Sequence, residues 1–222
     1  MTHPARWSAA EIQTWRSRLV DDLAAQGMGD DVAQRWLLKA IAAQAWGNRF
    51  EPRPTSWLAV HDVIQQIHDS SGLMPLDWRQ DDPAPSDRLW HLLEMALQHC
   101  HDPLLRLAEA YGQTPSGPSP KAGGIYYTPW TLIDRMVQHT VGRRAIAAPL
   151  RIIDPSCGCG AFLLMAGRSL GGQGCGTGWR SWQSVVERLH GVDVDAAAVA
   201  IARLMLWLEW ADPTAPMAAI AL

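Results

Sequence analysis

The chain has 222 residues, 48% of them hydrophobic and 18% charged, with a formal net charge of −3. That length suits one large domain or two small ones of ordinary globular composition, and the balance of charge gives no bulk electrostatic footprint for nucleic acid. The four cysteines form no C-x-x-C pair, so neither a zinc site nor a disulfide framework is expected.

The first half reads as helices. Ser8-Ala9-Ala10-Glu11 is a capping-box pattern, followed by Ile12, Trp15, Leu19 and Leu23 on one helical face, with Gly27 and Gly29 ending the element. Asp31 is placed to cap a second helix reaching Ala45, with Val32, Trp36, Leu37, Ala40 and Ile41 inward. Pro52 and Pro54 break the pattern, and a third helix is expected from about Ser56 to His68. Ser86 is read as the cap of a fourth, carrying Leu89, Leu92, Leu93, Met95, Ala96 and Leu97 to about Cys100. Asp102-Pro103 opens a fifth helix, Leu104 to Tyr111. The Trp and Leu stripes read as core packing, and no metal site is expected at His91, His99 and His101.

Gln113 to Gly124 is rich in Pro, Gly and Ser and marks a boundary. The expected organisation is a helical domain over 1–112, a linker over 113–123 and a second domain over 124–222. In Gly124-Ile125-Tyr126-Tyr127-Thr128-Pro129, Thr128 is a good N-cap and Pro129 a good first helical residue. Leu132, Ile133, Met136, Val137 and Val141 then give an apolar helix face.

Arg151 to Asp154 reads as a short buried strand, Gly158 and Gly160 as a tight turn, and Ala161 to Met165 as the start of a helix. A strand, a glycine turn and a helix N-terminus bring main-chain N–H groups close to a ligand; nucleotide, nicotinamide and S-adenosylmethionine sites all use that arrangement. Gly171 to Gly178 lacks the Walker spacing and is not a phosphate loop, and Trp182 to Leu189 is read as a short helix. Leu189 to Asp195 reads as a second strand ending in acids, and Ala196 to Trp210 as an amphipathic helix. The β-α-β-α order argues for a parallel sheet with ligands beyond the strand carboxyl ends. Asp154 and Asp193 fall there. A carboxylate at the second position accepts both hydroxyls of a ribose, and one at the first suits an ammonium or serves as a turn acid. The glycine signature lacks the third glycine of a nicotinamide unit, and its acid comes later than the ~20 residues usual there.

These stretches resemble the N-terminal part of a γ-class N6-adenine DNA methyltransferase of bacterial restriction–modification systems, of the type I modification-subunit and type II fused kinds. Gly124 to Pro129 is similar to the motif that precedes the cofactor loop in that class. Asp154-Pro155-Ser156-Cys157-Gly158-Cys159-Gly160-Ala161-Phe162-Leu163 is similar to its D-P-x-C-G-S-G-x-F-L motif, with Cys159 where serine is common. Gly191-Val192-Asp193-Val194-Asp195 is similar to its ribose-binding strand. The resemblance implies an α/β fold, the start of a Rossmann-like parallel sheet preceded by a helical domain. It also implies S-adenosylmethionine as cofactor, held by Tyr127, Thr128, Pro129, Asp154, Pro155, Ser156, Gly158, Gly160, Phe162, Asp193 and Val194, with no metal, and double-stranded DNA as substrate.

The family's catalytic motif, [N/D/S]-P-P-[Y/F/W], has no counterpart: the chain contains no Pro-Pro dipeptide, and its one asparagine is Asn48. The expectation is therefore a truncated or split enzyme without its own catalytic residues, DNA being met through regions outside the chain and a protein partner completing the sheet. The alternatives are a non-catalytic cofactor-binding or assembly subunit and a methyltransferase acting on RNA or protein. No secretory or membrane-spanning pattern is seen, and the cytoplasm is the expected location.

Overall fold

The computed structural model describes residues 9–50, 53–73, 78, 82–99, 102–112, 128–142, 150–172 and 185–210. The chain divides into two units, Met1–Tyr126 and Tyr127–Leu222.

The first unit is helical: α1 (Ala9–Ala24), α2 (Asp30–Gly47), α3 (Trp57–Ser71), α4 (Asp87–Gln98) and α5 (Pro103–Gly112). Its centre is α2, which packs against α1, α3 and α5 and is buried from Val32 almost continuously to Gly47. A helix apolar around most of its circumference is stable only when surrounded. Ile12, Trp15, Leu19 and Leu23 of α1 are buried as the spacing predicts. Trp36, Trp57 and Trp90 meet edge to face, with ring centroids 5.3 Å and 5.1 Å apart. Such pairs add about 0.5–1.5 kcal/mol each beyond the area they bury. Their polar edges are satisfied as well, since Trp36 Nε1 donates to Pro83 O at 2.8 Å and Trp57 Nε1 to Ser86 O at 3.0 Å.

The caps differ in detail from the sequence expectation. Gly29, in extended conformation, occupies the N-cap of α2, which begins at Asp30, so Asp31 is inside the first turn and is free to pair with Arg35. Ser56 caps α3 by accepting from Ala59 N, and Gly72 closes it in the left-handed region at φ 64°. Ser86 stands at the N-cap of α4 but does not cap it. Its Oγ and N–H both donate to the Asp22 carboxylate at 2.6 Å, tying the start of α4 to α1. Leu92 and Met95 of α4 face solvent, because Leu89, Trp90, Leu93 and Leu97 already fill the buried side. Asp102 caps α5 through Leu105 N at 3.3 Å.

The second unit has α6 (Trp130–Thr140), β1 (Ile152–Asp154), α7 (Ala161–Gly172), β2 (Leu189–Gly191) and α8 (Ala196–Trp210). The two strands pair in parallel, with Ile152 opposite Leu189, Ile153 opposite His190 and Asp154 opposite Gly191. This is a small parallel sheet with helices, consistent with the start of an α/β methyltransferase fold. Residues 113–127, 173–184 and 211–222, which hold the linker, most of the glycine-rich loop and the tail, lie outside the described residues.

Four expectations are corrected here. The N-cap of α6 is Pro129, with no side-chain cap from Thr128; Pro129 keeps extended backbone at ψ 134°, so the helix starts one residue later. Only Ile133 and Val137 of the expected α6 face are buried, while Leu132 and Met136 are about half exposed. The second strand ends at Gly191 rather than at the acids, and Val192 to Asp195 form a loop. Finally, α8 is not amphipathic: Ala198, Ile201, Ala202, Leu204, Met205, Leu206, Trp207 and Leu208 are all buried.

Helix α7 joins α6 to α8. Gly167 lies where any Cβ would come within 2.4 Å of Trp210 Cη2, so glycine lets the indole of α8 lie against α7. Arg168 grips Glu209 across the same pair with two parallel bonds of 2.8 Å.

Candidate cofactor site at the glycine turn

The site is built at the carboxyl ends of β1 and β2. Because Asp154 is paired with Gly191, the two chains leave the sheet together, and their first loop residues are neighbours. Val192 N donates to Asp154 O at 2.9 Å, and Cys157 N donates to Val192 O at 3.0 Å, so the two loops continue the ladder past the strands. Asp154 Oδ1 accepts from Ser156 N at 3.1 Å, the side-chain turn that a strand-end aspartate makes.

Gly158 and Gly160 both have positive φ, at 49° and 79°. Between them the chain reverses, Gly160 N donating to Cys157 O at 2.8 Å, and Gly160 O already accepts from Leu164 N, its helical partner, at 2.9 Å. The turn therefore hands the chain directly to α7. Gly160 also touches α8, where a Cβ would sit 2.8 Å from Ala202 Cβ.

Asp193 binds the two loops together. Its Oδ2 accepts from Gly158 N at 2.8 Å and its Oδ1 from Asp195 N at 2.9 Å. Asp195 in turn caps α8, with Oδ1 accepting from Ala197 N at 3.0 Å and Ala198 N at 3.2 Å. The main-chain N–H that a phosphate would seek at this turn is thus already held by a carboxylate.

Of the expected site residues, Asp154, Ser156, Gly158, Gly160 and Asp193 are brought together. Pro155 and Ser156 are exposed, Phe162 is half-buried in the first turn of α7, and Val194 is fully exposed beside Asp193. Thr128 and Pro129 precede α6, which packs on α7. Tyr127 lies outside the described residues. Two participants were missed. Asp195 was legible as an aspartate just before a helix, the usual N-cap position. Cys157 carried no signal as a buried group.

Cys157 is buried beneath the turn. Burial, then the Asp154 and Asp193 carboxylates, push its thiol up to about 11 from an ordinary 9.0. Its thiolate fraction at pH 8 falls by roughly 100-fold, so iodoacetamide should label the Cys157 peptide at least that much more slowly than a free thiol. Peptide-resolved mass spectrometry checks this. The same shift contributes stability that is complete below about pH 9 and is lost as pH rises through about 11, because the unfolded chain loses the proton first. Among the described residues, no group of three or more His, Cys, Asp or Glu is placed to hold a metal ion, and no helix there is long and apolar enough to cross a membrane.

Residues 113–215 match the family model of N-6 DNA methylases, a match that contains the turn, both acids and all of the sheet but spans less than half of the chain. No curated protein matches the chain.

Proposed function

We propose that the Tyr127–Leu222 unit is the cofactor-binding start of an S-adenosylmethionine-dependent DNA methyltransferase of the γ class, acting on adenine N6 in a cytoplasmic restriction–modification or related system. The match to N-6 DNA methylases supports a DNA methyltransferase. The observation that carries the choice of cofactor is the occupied Gly158 N–H. With Asp193 at 2.8 Å on that donor and Asp154 on the adjoining strand end, the turn presents negative charge where a dinucleotide site presents free donors. A ligand with a cationic methionine end and a neutral ribose suits this turn, and a pyrophosphate does not.

When bound, S-adenosylmethionine supplies an electrophilic methyl group. This chain's residues hold and orient it. The Asp193 oxygens keep acceptor capacity for a ribose diol, since an ionised carboxylate has about four lone-pair sites and two are used by the main chain. In this reading Asp154 takes the ammonium, the positive-φ Gly158 and Gly160 let the ligand approach the main chain, and exposed Val194 meets the adenine ring. No residue pair in the sequence corresponds to the motif that holds the target adenine. We therefore assign the flipped base and most of the double-stranded DNA contact to residues outside these 222.

Replacing Asp193 by Ala should weaken S-adenosylmethionine binding by roughly 100-fold, the worth of one or two bonds to a charged group. Isothermal titration of the purified chain measures it, and parent-like affinity in the variant would refute the ribose assignment.

A second reading, a non-catalytic cofactor-binding or assembly subunit, is favoured by the open side of the sheet. Ile153 of β1 is 67% exposed, and Val192 in the loop after β2 is 58% exposed. Adenine methylation by the purified chain alone would exclude that reading. Methylation only after adding a chain that carries the missing motif would support it.

A further inference from the structure

We infer that Asp193 and Asp195 together are positioning residues that pin the glycine turn to the N-terminus of α8, a role separate from any contact with a ligand. The bonds form a relay. The α8 N-terminus is capped by Asp195 Oδ1, the Asp195 N–H donates to Asp193 Oδ1, and Asp193 Oδ2 accepts from Gly158 N. The first link is a helix cap and the last is the turn itself, so the geometry of a loop with two positive-φ glycines is set by a helix separated from the end of β2 by four residues.

The chemistry of this relay is selective. Asp193 must present an acceptor oxygen to each of two main-chain donors. A carboxylate does so; an amide has one acceptor and turns N–H groups toward the other donor. Asn at 193 therefore opposes either Gly158 or Asp195 and breaks the relay. At 195 the requirement is different. The bonds to Ala197 N and Ala198 N are accepted by Oδ1 and the link to Asp193 is given by the main chain, so Asn, which keeps an acceptor oxygen, preserves both links, while Ala loses the cap.

The test is amide exchange in the full chain labelled with ¹⁵N-glycine and ¹⁵N-leucine, without ligand. Asp193→Asn and Asp195→Ala should each speed exchange at Gly158 by tenfold or more. Asp195→Asn should stay near the parent rate, and Leu164 in α7 should be unchanged in all three. Unchanged exchange at Gly158, or equal acceleration at Gly158 and Leu164, would overturn the proposal, since a purely structural role moves the two together. If a variant fails to fold, the parent decides. A hydrogen-bonded Gly158 amide shows a small temperature dependence of its proton shift, and a large dependence overturns the relay. The ligand arm rests on the cofactor reading above: Asp195→Ala should lose tenfold or more in S-adenosylmethionine affinity and Asp195→Asn little. A parent chain that binds none would sink that reading, with the exchange result still deciding the relay.

Discussion

Asp82→Ala should cost the helical unit about 3–5 kcal/mol, the usual penalty for removing one partner of a buried ionic group. The Asp82 side chain is 6% exposed and holds two cations. Arg35 reaches it through a fork of two 2.8 Å bonds, and Lys39 through one of 3.2 Å. Lys39 is itself buried, its ammonium 4.9 Å from the centre of the Trp36 ring. Both cations project from α2, the helix around which the unit is packed, so their carboxylate fixes the segment before α4 to the core. Asp31 remains beside Arg35 at 3.0 Å in the variant, but on the solvent side and with an exposed carboxylate, which compensates little. Urea unfolding followed by helical circular dichroism reads the loss.

The pH dependence has a defined sign. Burial works to raise the Asp82 carboxyl, but the Arg35 bond and the Lys39 charge outweigh it and hold the group below its ordinary 3.8. Its contribution is therefore complete above about pH 4 and is lost as pH falls through the lower folded-state value. Asp82→Asn should flatten that acid limb. A variant with the parent's acid limb would show that another carboxylate governs it.

Nothing in the sequence pointed to Asp82. It stands in a proline-rich stretch that reads as a surface loop, and a lone acid there is usually solvated. The cations that bury it are at 35 and 39, far away in the chain, and no local pattern encodes that encounter. The elements of α1 and α3 were legible because each buries one stripe at helical spacing and is followed by a glycine, and α5 because Asp102-Pro103 marks its start. By contrast, α2 and α8 are buried on most sides. Periodicity carries little there, because burial runs almost without a break along α2, polar Gln34, Lys39 and Gln44 included, and nearly every position of α8 is apolar.

At the site the same division holds. Asp154, Gly158, Gly160 and Asp193 were readable from order and residue type: a strand end, a turn that needs positive φ, a second strand end. What could not be read was which donors each acid takes. That Asp193 accepts Gly158 N follows from the register Asp154–Gly191, which brings the two loops side by side, and register is a property of the pairing rather than of either strand. The second strand was drawn too long for a related reason. Val192 to Asp195 alternates apolar and acidic residues like an edge strand, yet the ladder ends at Gly191 because Asp193 and Asp195 turn the chain into α8.

Gly160→Val should disable the turn and destabilise the second unit by about 3 kcal/mol. Two costs combine. Gly160 has φ 79°, a region that costs a residue with a Cβ roughly 1–2 kcal/mol, and more for a β-branched side chain. A Cβ there would also lie 2.8 Å from Ala202 Cβ and 3.2 Å from Ala202 Cα. The second contact is with main chain inside a buried helix, which cannot swing aside as a long side chain could, so overpacking adds about 1–3 kcal/mol. Gly72→Ala separates the two terms: it imposes the same left-handed conformation at φ 64° with nothing within 4 Å of the new Cβ, and should cost only about 1 kcal/mol. Ala202→Gly, introduced together with Gly160→Val, should recover part of the difference by removing the Cβ–Cβ clash while leaving the backbone conflict. In cofactor titrations the single Gly160 variant should lose at least as much affinity as Asp193→Ala, because displacing Gly160 from α8 moves the Gly158 donor away from Asp193 as well. Parent-like stability and affinity in Gly160→Val would mean that the turn and α8 do not meet as described, and the cofactor site would have to be rebuilt without them.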